Sequence, residues 1–335
     1  MGITFVANLT MEYGKMYRPE IKVVDCTIRD GGLMNNSHFS HELVRKVYRA
    51  ICESGVDYVE LGYRNSKKMF STDEYGAWRF CDEPDLRQVV EGVDPGETKL
   101  AIMMDAHKSF PEDVIPADES VVDLIRVATY VKDIDKAVRL AQVADSEGYL
   151  TTINVMAISH EGGMFLDEAL QQIDAETNVL AAYVVDSFGA LYSEEVDYYI
   201  DTYRKYLHGK EIGIHCHNNQ QLAFANTIEA IIKDANFVDG TLYGMGRAAG
   251  NCPLELLMSF LKNPKFNLKP LLRVIGESIM PLTNEWQWGY HVPYMITGTL
   301  NQHPSSAMAW MDADDIDKDD FVRFYDKVTE DDRPT

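Results

Sequence analysis

No stretch of this 335-residue chain approaches the roughly 20 consecutive apolar residues that a membrane-spanning helix needs. The N-terminus lacks the basic segment followed by an apolar one that marks a secretory leader. Basic charge is scarce: 31 Lys and Arg stand against 53 Asp and Glu, a formal net charge of −22. Such a surface repels phosphate backbones and anionic lipid, which disfavours nucleic-acid and membrane partners. Cysteine is limited to five, an odd number without regular spacing, which fits reduced thiols in a cytoplasm better than a disulfide framework. Cys26, Cys52, Cys81 and Cys216 read as small core residues, and nothing near Cys252 marks it as a nucleophile. The expectation is a soluble, cytoplasmic protein.

Hydrophobic residues make up 46% of the chain, enough for a substantial core. The acidic runs at 312–320 and 330–332 read as a solvated face or tail. Short apolar runs alternate with amphipathic stretches between about 21 and 262. Strands are predicted over 21–27, 58–62, 99–104, 124–128, 152–157, 182–186, 212–217 and 237–243. Helical spacing lies between them, with Ser40 and Ser193 as candidate N-caps. Eight strand–helix units in about 240 residues fit an α/β fold, a closed (β/α)8 TIM barrel; an open doubly wound sheet is the alternative. Residues 1–20 then form an N-terminal extension, 21–262 the catalytic barrel, and 263–335 a helical segment that covers the mouth or builds a dimer contact.

A barrel gathers its chemistry at the C-terminal ends of the strands. Polar residues recur there: Arg29 and Asp30, Glu60, Asp105, Arg126, His160, Asp186 and Ser187, His215 and His217, and Asn251. His215 and His217 lie two apart on a strand, so both imidazoles face one way and Cys216 the other. That is half of a divalent-metal site, or a pair of ordinary strand-end histidines. In the segment 25–32, Asp25, Thr27 and Arg29 share the strand face that a barrel turns inward, and Asp30 opens the loop. A strand-end salt bridge is the competing reading, although buried polar residues are costly without a purpose. The glycine-rich stretch 244–253 suits close approach to a ligand, phosphate included, but no Gly-Lys-Ser/Thr loop follows. Arg126 and His160 fit a carboxylate or hydroxyl contact and a structural role equally well.

Asp25-x-Thr-x-Arg-Asp-Gly, His215-x-His217-Asn and Gly244-x-Gly-Arg-x-Ala-Gly-Asn251 together resemble the DRE-type TIM-barrel metallolyases. These HMGL-like proteins include hydroxymethylglutaryl-CoA lyase, isopropylmalate synthase and 4-hydroxy-2-oxovalerate aldolase. The resemblance implies Asp30, His215 and His217 as metal ligands, with Asn251 in or near the same shell. It implies Arg29 at an enolate oxygen and Glu60 in the second-strand carboxylate position of the lyases. Asp186-Ser-Phe-Gly-Ala190 and Gly289-Tyr290 resemble the aldolase branch, making Tyr290 a candidate acid/base and Ser187 a substrate contact beside Arg29 and Arg126. One departure is Leu33, which stands where the aldolases carry a histidine; His38 and His41 lie further along.

The resemblance implies a lyase that cleaves a 4-hydroxy-2-oxo acid through a pyruvate enolate on a divalent ion, Mn2+ ahead of Mg2+, Co2+ or Zn2+. A Claisen-type synthase joining an acyl-CoA to a 2-oxo acid uses the same triad and is the runner-up. A silent barrel acting as a binding subunit is the third reading. The expected partners are a small 2-oxo acid and an aldehyde, a second copy of the chain, and a dehydrogenase receiving the aldehyde.

Overall fold

The computed structural model describes residues 18–330; residues 1–17 of the expected extension and the last five residues lie outside them. Eight parallel strands close into a barrel in chain order, each paired with its sequence neighbours and β8 with β1. They are β1 (Lys22–Asp25), β2 (Tyr58–Tyr63), β3 (Lys99–Asp105), β4 (Leu124–Thr129), β5 (Leu150–Val155), β6 (Ala181–Asp186), β7 (Glu211–Cys216) and β8 (Phe237–Gly240). The TIM barrel is thereby shown, and the open doubly wound sheet is not.

The helices are α1 (Thr27–Gly31), α2 (His41–Glu53), α3 (Glu83–Val90), α4 (Ile134–Ser146), α5 (Gly163–Glu176), α6 (Ser193–Tyr206), α7 (Ala223–Ile232) and α8 (Leu254–Leu261). α9 (Leu268–Val274), α10 (Val292–Thr299), α11 (Ser305–Asp312) and α12 (Phe321–Glu330) follow. Ser40 caps α2 as expected, its hydroxyl accepting the Leu43 N–H, and α2 buries Val44, Val47 and Ile51 against the sheet. Ser193 does not cap α6: it is the first helical residue, and the Glu195 carboxylate instead accepts the Tyr192 N–H. Between β3 and β4 there is no α-helix but two 3-10 turns, Pro111–Asp113 and Ala117–Glu119. Pro111 and Pro116 remove backbone donors there and break the helical ladder.

The largest difference from the sequence expectation lies at β1. The strand ends at Asp25, and the chain turns at once into α1, where Asp30 N–H donates to Cys26 C=O. Arg29 and Asp30 are therefore adjacent on one short helical turn, not split between a strand face and a loop. Asp25 and Thr27 do not enter the cavity. Asp25 accepts the Thr27 hydroxyl, whose oxygen takes the Leu242 N–H at 2.8 Å and so ties β1 to the end of β8.

The C-terminal helices have their own core of Tyr294, Ile296, Ala307, Trp310, Phe324 and Val328, closed by Ala248 and Ala249 of the β8 loop. That segment is thus docked on the glycine-rich loop at the barrel mouth. Within the barrel, a Cβ on Gly213 would lie 2.5 Å from three atoms of the Tyr183 ring, which itself stacks 4.6 Å from the Arg126 guanidinium. Overpacking of this kind costs about 1–3 kcal/mol. Gly213→Ala is expected to lower the unfolding free energy by that amount, read as a lower urea midpoint with an unchanged slope of the transition.

Candidate metal centre at the barrel mouth

Because β7 ends in Ile214-His-Cys216 with His217 one step beyond, its two imidazoles turn inward while Cys216 packs outward into the core. α1 lifts Asp30 to the same point. Asp30 Oδ2 lies 3.6 Å from His215 Nε2 and 3.8 Å from His217 Nε2, and ligand atoms of the three residues fall within 4.8 Å of one another. All three side chains are buried.

The protonation states suit metal ligation. His215 Nδ1 is 2.9 Å from Asp239 Oδ2. A carboxylate only accepts, so Nδ1 carries a proton; burial opposes a second one, but the Asp239 and Asp30 carboxylates outweigh it and raise the imidazole's pKa, and a bound cation would stand in place of that second proton on Nε2. Nε2 is buried without a hydrogen-bond partner, as is Asn251 Oδ1. Burial pushes the His217 imidazole down to about 3, with Arg247 and His215 adding to the effect, so it is neutral. Burial works against ionisation of Asp30, but the Arg29 guanidinium 2.6 Å away favours the carboxylate, and the carboxyl is held well below its usual range. One carboxylate and two imidazoles, with the unpaired Asn251 Oδ1 on a neighbouring residue, fit a divalent cation.

Asn251 borders this group. A Cβ on Gly246 would collide with Asn251 Nδ2 at 2.1 Å and Asp30 Oδ1 at 2.6 Å, so only glycine allows the two side chains to flank that backbone. A second triad, Cys26, His215 and Asp239, is equally compact. It is not a comparable site, because Arg126 already supplies its cation, bonding Asp239 at 2.6 Å and Cys26 Sγ at 3.3 Å.

The cavity above the triad has a volume of about 180 Å3 and is walled by Arg29, Ser187, Arg247 and His303 on its polar side. Leu33, Tyr63, Met103, Ala128 and Met156 form an apolar wall. Arg29, Asp30, Ser187, His215 and His217 thus converge as the sequence suggested, and Leu33 does line the space. Four expected residues do not line it; Asn251 borders the triad from outside the cavity wall, and three lie further off. Arg126 is fully buried one layer below the floor, bonded to Glu60 at 3.1 Å and to Asp239. Glu60 is shared between Arg126 and Arg29 Nε (2.7 Å), holds Arg29 in place and does not line the cavity. Tyr290 is 56% exposed on the segment before α10, outside the cavity.

His160 is likewise outside, bonded to the Asn301 carbonyl; His38 and His41 contact Glu74 and Asp85. Asp239, Arg247 and His303 were not singled out from sequence. A lone aspartate inside the apolar run of β8 was a usable signal for Asp239; His303 had none.

An eight-stranded parallel barrel with a carboxylate–imidazole centre at its C-terminal face defines a class of barrel enzymes. Within that class, the HMGL-like family model matches residues 20–274, and the chain belongs to the HMGL-like family. It is 30% identical over 250 residues to 4-hydroxy-2-oxovalerate aldolase of Pelotomaculum thermopropionicum, covering 75% of this chain and 72% of the relative. It is 28% identical over 240 residues to oxaloacetate decarboxylase of Mycobacterium tuberculosis, covering 72% and 69%. The N-terminal domain of a candidate aldolase from Bacteroides vulgatus superposes with a TM-score of 0.77 at 32% identity, covering 90% of this chain and 99% of that one. The HMG-CoA lyase of Brucella melitensis shares the fold, with a TM-score of 0.61 at 16% identity over 76% of this chain and 95% of that one. The relatives' names make this chain a lyase at the level of reaction class.

Two outcomes are expected for the buried network. Arg126→Met leaves Asp239 without its arginine and Glu60 with Arg29 alone, and should destabilise by about 3–5 kcal/mol in chemical denaturation. Asp239 is held at about 2, where burial opposes ionisation but Arg126 and the His215 hydrogen bond win. Its folded value is below the ordinary 3.8, so its contribution is complete above about pH 4 and lost as pH falls towards 2. The stability gap between wild type and Asp239→Asn should narrow over that window in an acid titration of thermal unfolding.

Proposed function

We propose that the protein is a divalent-metal-dependent aldolase that makes or breaks a carbon–carbon bond beside a 2-oxo acid, passing through a pyruvyl enolate. The observation that carries this reading is the convergence of Asp30, His215 and His217 next to the Arg29 guanidinium in a small cavity. Those three residues, with Asn251 beside them, would hold the ion, and Mn2+ suits the mixed oxygen and nitrogen donors, ahead of Mg2+, Co2+ or Zn2+. When bound, the ion supplies Lewis-acid polarisation of a keto oxygen.

The rest falls to the chain. Arg29 is fixed by Glu60 through Nε and by Asp30 through Nη1, and no described residue bonds its Nη2. A preorganised donor of this kind contributes about 3 kcal/mol when charge develops on an enolate oxygen. Ser187 borders the same space, with its hydroxyl accepting the Ala157 N–H at 2.8 Å and holding the β6 loop in place. With leucine at 33 and Tyr290 in solvent, the aldol hydroxyl proton falls to other wall groups, among them Tyr63 and Asp105.

A volume of about 180 Å3 corresponds to roughly six water molecules. That scale supports a small oxo acid and aldehyde over a site for acyl-CoA. The test is proton–deuterium exchange at the pyruvate methyl group in D2O, followed by NMR. Chelator-treated protein should be inert, Mn2+ should restore exchange, and Asp30→Asn should lose about 100-fold or more of the rate. No exchange in fully metallated wild-type protein would rule the reading out.

A further inference from the structure

Arg247 and His303 reach the cavity from separate parts of the chain, the β8 loop and the turn between α10 and α11. Arg247 Nη1 directs its N–H at His303 Nε2, 3.0 Å away. Its Nη2 donates to the Ser187 carbonyl at 3.1 Å, and its Nε is buried with no hydrogen-bond partner among the described residues. On the other side of the same imidazole, the Ser305 backbone N–H is 3.1 Å from Nδ1.

These contacts cannot all be hydrogen bonds. A neutral imidazole has one lone pair and one N–H, and a guanidinium only donates. If Nδ1 accepts from Ser305, Nε2 carries the proton and faces the arginine proton with no acceptor between them. The other tautomer moves the same conflict to the Ser305 N–H, and a doubly protonated ring has it at both nitrogens. The turn is also tethered: Asn301 bonds His160 through its carbonyl (2.7 Å) and the Ser159 carbonyl through Nδ2 (3.2 Å). An acceptor oxygen entering between Arg247 and His303 would take both facing protons, and a second oxygen would be within the reach of a guanidinium fork.

We propose that Arg247 and His303 form a seat for a substrate carboxylate. This deepens the oxo-acid reading and rests on it. The carboxylate belongs either to the 2-oxo acid itself or to a second acidic group on the aldehyde half, and the chemistry of the seat is the same for both. A charge-assisted pair of donors favours an anionic group over a neutral hydroxyl at this position. The seat also gives the docked C-terminal segment a direct part in recognition, since His303 arrives only with it.

The test compares Mn2+-loaded wild type, Arg247→Gln, His303→Phe and His303→Gln, each first shown to melt as a folded protein. Gln at 303 retains an N–H near the Nε2 position, whereas Phe does not. Pyruvate affinity is measured by calorimetry, and aldol addition is compared for 4-oxobutanoate against butanal, two four-carbon aldehydes differing in the terminal carboxylate. If the seat holds the 2-oxo acid, Arg247→Gln and His303→Phe weaken pyruvate binding about tenfold or more, and His303→Gln restores most of it. If it holds a second acid, pyruvate affinity stays constant and the preference for 4-oxobutanoate collapses in the same two variants. Unchanged affinity and unchanged preference in Arg247→Gln would overturn the seat. Failure of the aldolase reading is separable: pyruvate would then bind in an Arg247-dependent way without any metal-dependent methyl exchange.

Discussion

At the cavity wall and beneath it, two arginines and three carboxylates form one buried network. Arg126 joins Glu60 and Asp239, Glu60 joins Arg29, Arg29 joins Asp30, and Asp239 joins His215. With both imidazoles neutral, as ligation through Nε2 requires, Asp30, Glu60 and Asp239 against Arg29 and Arg126 leave one uncompensated negative charge in a place where charge is expensive to bury. The surplus lies nearest Asp30, where two imidazole Nε2 atoms converge. A divalent cation there would turn the deficit into a surplus that an oxo-acid carboxylate could neutralise. The network also does the orienting: Asp239 sets the His215 tautomer, and Glu60 aims Arg29. The Arg126–Glu60 and Arg126–Asp239 pairs thus support the site from outside the cavity lining.

This lattice explains both what the sequence revealed and what it hid. Strand parity is a local property, so His215 and His217 could be assigned to one face from their spacing alone. The barrel followed from repeated alternation, and the Arg29–Asp30 and Asn251 motifs fell at strand ends where barrel chemistry collects. Depth along a strand is not periodic. Arg126 has the right parity but sits mid-strand in Leu124–Thr129, so it serves the floor and not the substrate. Thr27 looked like the continuation of a strand, yet Gly31 and Gly32 close a helical turn that brings Arg29 and Asp30 side by side. Asp239 and His303 act across large sequence separations, and no local pattern reports such partners.

The cavity has two characters. Its apolar wall, from Leu33 to Met156, is suited to the methyl or methylene carbons of an oxo acid, and its polar wall carries Arg29, Ser187, Arg247 and His303. Leucine at position 33 extends the apolar side where aldolase relatives of this type are expected to carry an imidazole. The chain therefore keeps Arg29, Asp30, His215 and His217 together while changing the wall beside them. The C-terminal helices are part of that change, because they pack on Ala248 and Ala249 of the loop that also holds Arg247 and Asn251.

The most direct test of the central claim is anomalous diffraction from crystals grown with Mn2+. The account predicts one strong peak per chain, bounded by Asp30, His215 and His217 with Asn251 adjacent, and absent in His217→Ala. A peak elsewhere, or none at saturating Mn2+, would contradict the claim that this charge deficit is built to hold a cation.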